Sequence, residues 1–264
     1  MTNINSEPRR PFLGISMMPE QAVKRPEEIS HQEDELHAFD PVWAEQYLKA
    51  CSNPWENGIL PVKTIELICV GLCAACTNMQ EGPTRRHIKA ALQAGATGDE
   101  ILMMLKMGSV MSIHSLSLGA PILLEEAKEA GIIPAPKQAS TPSCDKMREI
   151  GQWNTAWEPF YNLDPLFTDQ FMACGIGIYS SGLMSPKLVE LISLAFDASI
   201  THMYAPGTRR HIKAALKAGA TVEEIMEVLK VCVSFGLESY RLGTHVLAEE
   251  FSSFENKRLH EQTT

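Results

Sequence analysis

The sequence predicts an all-α protein made of two tandem helical units related by internal duplication. Three observations carry this. Residues Asp40 to Ala127 align with Asp164 to Phe251 at a constant offset without a gap, and about 34 of the 88 paired positions are identical. Apolar residues recur at three- and four-residue spacing over runs longer than ordinary strands. No long stretch alternates with period two.

The elements follow in chain order. Residues 1–36 are polar, punctuated by Pro and acidic near HQEDE, which predicts an arm without a core of its own. The first domain spans 37–130 and the second 151–254. In each, a buried helix is expected from Ile65 to Met79 and from Val189 to Met203. A second helix runs through RRHIKAAL and stops at Gly95 or Gly219, the residue type that best adopts the left-handed turn after a helix. Thr97 with Glu100, and Thr221 with Glu224, read as capping boxes that start a third helix. In the first copy that helix is expected to reach about Ala130, bending near Gly108 or Gly119-Ala-Pro121. Residues 131–150, with Gly, Pro, Ser and Thr, read as an exposed linker, and 255–264 as a tail.

Composition narrows the function classes. The 23 Lys plus Arg against 32 Asp plus Glu give a net charge of −9, which disfavours a nucleic-acid surface. No uninterrupted apolar run reaches the roughly 18 residues of a spanning helix, and MTNINSEPRRPF lacks the apolar core of a signal peptide. A cytoplasmic protein with seven reduced cysteines is expected. Neither a metal nor another cofactor is expected, since no four ligands stand at zinc spacings.

The order Glu-Leu-Ile, a helix end, His-x-x-x-Ala-Leu, Ala-Gly-Ala-Thr and Glu-Glu-Ile resembles the carboxymuconolactone decarboxylase family, which includes alkylhydroperoxidase D. The first copy has Asp99-Glu100-Ile101 for the last element. The resemblance implies two alkylhydroperoxidase D-like helical domains, and a homotrimer in which six domains imitate six subunits. In peroxidase members a Glu precedes a Cys-x-x-Cys and a His follows it. Glu66 and Glu190 match that Glu, and His87 and His211 that His, but Asn78 and His202 stand where the first thiol belongs.

The candidate residues follow, each with its structural alternative. His87 and His211 can act as acid or base near neutrality, or can be retained for packing. Glu66 and Glu190 can orient them, or can pair with an Arg of the repeat. Arg86 and Arg210 can clasp a carboxylate; adjacent Arg85 and Arg209 point about 100° away, so at most one of each pair faces a pocket. His202 and Tyr204, present only in the second copy, are secondary hydrogen-bond donors or ordinary loop residues. His114 in the first copy is matched by Glu238 in the second, so the copies can close one another's pockets. Cys73 and Cys76 share a helix face with Glu66, Cys69 and Thr77, lining a pocket or filling a core. Six of the seven cysteines fall in the repeats and none coincides between copies, which argues against a thiol mechanism common to both.

The leading reading is a cofactor-independent, carboxymuconolactone decarboxylase-like lyase or isomerase. The resemblance implies a small carboxylated, lactone-like substrate from aromatic catabolism, with His211 or His87 as general acid. The alternatives are a thiol peroxidase or disulfide reductase (peroxiredoxin-type activity) using Cys73 and Cys76, and a non-catalytic oligomeric binding protein.

Overall fold

The computed structural model describes residues 36–263, so the arm expected over 1–36 lies outside the described residues apart from Leu36, which is buried. Helices connected by short turns make up the described chain, and it contains no strand. The first copy comprises α1 (Pro41–Glu56), α2 (Val62–Ala74), α3 (Glu81–Gln93), α4 (Gly98–Val110) and α5 (His114–Glu129). After α6 (Pro142–Glu149) and α7 (Glu158–Leu163), the second copy repeats this order as α8 (Pro165–Ser180), α9 (Pro186–Ala198), α10 (Ala205–Lys217), α11 (Val222–Ser234) and α12 (Gly236–Thr263).

Local chemistry sets the boundaries identically in both copies. The Asp40 side chain accepts from the Trp43 amide and that of Asp164 from the Phe167 amide, each ahead of a Pro at the first helical position. Both expected capping boxes form, Thr97 with Glu100 and Thr221 with Glu224. Lys63 and Lys187 reinforce them with ion pairs of 2.9 and 2.7 Å. Gly95 and Gly219 take φ of 86° and 88°. The amides after them complete Schellman turns, Ala96 to the Ala91 carbonyl at 2.8 Å and Ala220 to the Ala215 carbonyl at 2.9 Å.

The buried helices are shorter than their apolar pattern. They stop at Ala74 and Ala198, and the chain turns through Met79 and Met203 in the left-handed region, at φ 49° and 52°. The turns are fixed from behind by Gln80 N–H to the Cys73 carbonyl (3.0 Å) and Tyr204 N–H to the Asp197 carbonyl (2.8 Å). In the first copy the bend falls at a 3-10 turn over Met111–Ile113, not at Gly108 or Pro121, which lie inside α4 and α5. Gly108 serves packing instead: a Cβ there would stand 3.3 Å from the Ala75 backbone, the Gly71 carbonyl and the Phe196 ring. The run Gly98–Glu129 is by length and composition apolar enough to cross a membrane, but here Ile101, Met103, Met104, Met107 and Met111 join the protein core.

The two copies share that core. It combines α2 and α4 with α9 and α11, and the Phe196 ring lies directly over Gly71. First helices are exchanged, α1 packing on α11 and α8 on α4. The expected linker is only half exposed. Residues 131–140 are, but α6 is helical, its N-terminal amides of Ser143 and Cys144 donate to Asp169 Oδ1, and its Cys144 and Met147 join Phe160, Trp157 and Met172 in a second core. The expected tail is the continuous end of α12.

Candidate active site

One residue of each copy's last helix, His114 or Glu238, shares a cavity with the other copy's His. In the second copy, His211 on α10 is buried, and its Nδ1 lies 2.6 Å from Glu190 Oε2 on α9. Arg210 Nη1 donates to His211 Nε2 at 3.2 Å. A guanidinium can only donate, so Nε2 carries the lone pair and Nδ1 the proton given to Glu190. Burial holds the His211 pKa below its ordinary value, partly opposed by Glu190. Arg210 is steadied by the Gln152 side-chain oxygen at 3.0 Å.

His211 and Arg210 face a cavity of about 90 Å³, enough for a few waters or a small organic acid. Its walls mix the copies: Met107, Met111 and His114 from the first, with Tyr179, Phe196, Asp197, Arg210 and His211 from the second. Asp197 is buried on α9, and burial raises its pKa to about 7 against the lowering effect of Arg210. His114 opens α5, and burial, then neighbouring His202, pushes its pKa down to about 3. His114 Nδ1 meets His202 Nε2 at 2.6 Å, and the Tyr204 ring stacks on His114 at 4.2 Å. His202 and Tyr204 therefore stand behind His114 and do not line the cavity, a correction to their expected place as donors within it.

The first copy builds the same frame with different contents. His87 Nδ1 lies 2.7 Å from Glu66 Oε2, and Trp55 Nε1 donates to the other Glu66 oxygen at 2.7 Å. Arg86, however, forms an ion pair with Glu238, so its fork already holds a carboxylate of this chain. Arg85 and Arg209 are exposed, as the helix geometry requires. The cysteines do not form the expected common face. Cys73 is fully buried at the end of α2 and its pKa is pushed up to about 12 by burial and then by Glu238, whereas Cys76 is exposed in the turn beyond the helix.

Comparison with known proteins fits this duplicated frame. The sequence profile described as "Carboxymuconolactone decarboxylase family" matches residues 41–112 and 165–240. The chain belongs to the carboxymuconolactone decarboxylase family. It is similar to a solved structure from Burkholderia xenovorans LB400, provisionally named a gamma-carboxymuconolactone decarboxylase subunit. The identity is 32%, the TM-score 0.77, and the match covers 84% of this chain and 91% of that one. No curated protein matches.

Within the family frame, both expected Glu–His pairs are therefore present, and both Arg residues line a cavity, Arg210 one of about 90 Å³ and Arg86, ion-paired with Glu238, one of about 600 Å³. Asp197 escaped the reading of the residues as a site member, although a carboxylate in the apolar run LVELISLAFDA was a visible signal. The structure adds that Gly207 leaves room for it: a Cβ there would fall 1.8 Å from Asp197 Oδ2.

Proposed function

We propose that the chain is a lyase or isomerase of the carboxymuconolactone decarboxylase type, acting on a small carboxylated, lactone-like compound of aromatic breakdown. One observation carries the reading: His211, anchored by Glu190, and Arg210 face one partly enclosed cavity. Arg210 holds the substrate carboxylate with guanidinium N–H groups exchanged from or additional to those it gives His211 and Gln152, neither of which is a competing carboxylate. As the substrate C–C bond breaks and carbon dioxide leaves, the electron pair stays on the substrate, and His211 Nε2, protonated from solvent, delivers its proton to that carbon while Glu190 accepts from Nδ1. The cavity of the second copy is the working site, since Arg86 is already paired with Glu238.

The test is turnover of a carboxylated muconolactone. His211→Ala loses at least about 10² in rate with its helical signal intact, and His87→Ala stays near wild type. Equal loss in both, or in neither, contradicts this assignment.

A further inference from the structure

The cluster behind the cavity brings two imidazoles to a buried carboxylate, one oxygen of which accepts no hydrogen bond. His114 comes from the start of α5, His202 from the turn after α9, and Asp197 from α9 itself. Their nearest ligand-type atoms all lie within 4.8 Å of one another. Asp197 Oδ1 is 3.5 Å from His114 Nδ1 and 3.9 Å from His202 Nε2. The Asp197 side chain is 3% exposed, and its Oδ2 has no hydrogen-bond partner. A buried carboxylate oxygen without a donor is costly, and a core grown for packing alone would replace it or supply one.

We propose that His114 Nδ1, His202 Nε2 and the Asp197 carboxylate bind one divalent first-row transition-metal ion. Two imidazoles and one carboxylate on one side of an ion, with the other side open, is an established donor set for zinc and non-haem iron. Two of the three ligands, His114 and Asp197, line the cavity, and His211 Nε2 is 3.5 Å from Asp197 Oδ2. A tautomer shift in one ring turns both facing nitrogens into lone-pair donors. Ligation at about 2.0–2.1 Å in tetrahedral geometry needs those nitrogens roughly 3.4 Å apart, against 2.6 Å now, so the two rings must part on binding. An ion of charge +2 beside a single carboxylate leaves one positive charge directed at the cavity, matched to an anionic ligand.

The inference explains why the duplication is asymmetric. The positions equivalent to Asp197, His202 and His114 are Cys73, Asn78 and Glu238. Glu238 is taken by Arg86, and the Asn78 amide donates to the Leu72 carbonyl at 2.7 Å. The first copy therefore has no counterpart site, and the stoichiometry is one ion per chain. This inference shares the cavity of the proposed reaction but not its fate, because metal binding is read without turnover.

The experiment uses the full-length chain, stripped with a chelator and titrated with Co²⁺ as a visible probe and with Zn²⁺ against a chromophoric competitor. The expected result is one tightly held ion per chain and Co²⁺ bands without thiolate charge transfer. Asp197→Asn and His202→Ala each weaken binding at least about 100-fold, while His87→Ala leaves it unchanged. If Asp197→Asn loses helical signal, His202→Gln, in the turn, decides in its place. Retention of less than one ion per chain by the wild type overturns the proposal, as does undiminished binding in the folded variants.

Discussion

His211 and Glu190 are joined at 2.6 Å across neighbouring helices, and the same contact recurs between His87 and Glu66 at 2.7 Å. Retention of a dyad in both copies suits either packing or chemistry, so what differs around it is informative. Both Arg210 beside His211 and Arg86 beside His87 line a cavity, but only Arg86 is ion-paired with a carboxylate, that of Glu238. Glu190 acts through His211 as a positioning residue. Glu190→Ala is therefore expected to lower kcat by at least about tenfold with KM little changed, since Arg210 still binds the carboxylate. Glu190→Gln, able to accept from Nδ1, recovers part of the loss. Glu66→Ala leaves both constants near wild type, and a KM defect in Glu190→Ala would count against a positioning role.

The thiols offer a direct check on the competing redox chemistry. Burial pushes the pKa values of Cys73, Cys144 and Cys232 to about 12, and those of Cys69 and Cys51 upward as well. A raised thiol pKa means less thiolate at any working pH, and the thiolate is the reacting species. Native protein at pH 8 should therefore give a fast reaction with a disulfide reagent at two thiols, the exposed Cys76 and Cys174, and all seven only after denaturation. Fast modification of Cys73, or a Cys73–Cys76 disulfide on mild oxidation, would restore the peroxidase reading.

The fold was legible because its signals are local and occur twice. Asp40 and Asp164, Thr97 and Thr221, and Gly95 and Gly219 each act on backbone within a few residues. What was not legible depends on distance. The apolar pattern runs on through Met79 and Met203, but the helices end earlier, in turns that leave those residues exposed. Residues around Cys144 have a loop-like composition, yet Asp169 caps them as a helix from another segment. The His114–His202 contact joins positions 88 residues apart, which no spacing rule within one copy could propose.

Gly207 tests whether the Asp197 cluster is built to close tolerance. A Cβ at this position would meet Asp197 Oδ2 at 1.8 Å and Tyr204 Cδ1 at 2.7 Å, so the carboxylate and the ring that supports His114 would both have to move. Overpacking of this kind typically costs about 1–3 kcal/mol. Gly207→Ala should lower the denaturation midpoint accordingly and disturb His114 and His202, visible as shifts in their imidazole NMR signals. Gly82→Ala is the control: a Cβ there meets only the end of Arg86, at 3.8 Å, and Ala suits a helix better than Gly, so stability should hold or rise. Equal effects of the two substitutions would mean that Asp197 relaxes freely.

The last helices carry a surface that bears on assembly. On α5, Leu118, Ile122 and Leu123 are exposed, and the equivalent Leu242, Val246 and Leu247 are exposed on α12. Isolated exposed apolar side chains are ordinary, but the same triplet left open in both copies describes one face presented twice. A ring assembled from such chains would use each face against a neighbour, which is the basis for proposing a homotrimer with six domains. Light scattering coupled to gel filtration is expected to give three times the 29.2 kDa chain mass. Leu118→Glu with Leu242→Glu places a charge in both faces and should yield monomers that keep their helical signal, because neither side chain belongs to the shared core. A wild-type monomer, or a trimer indifferent to both charges, would place the assembly surface elsewhere.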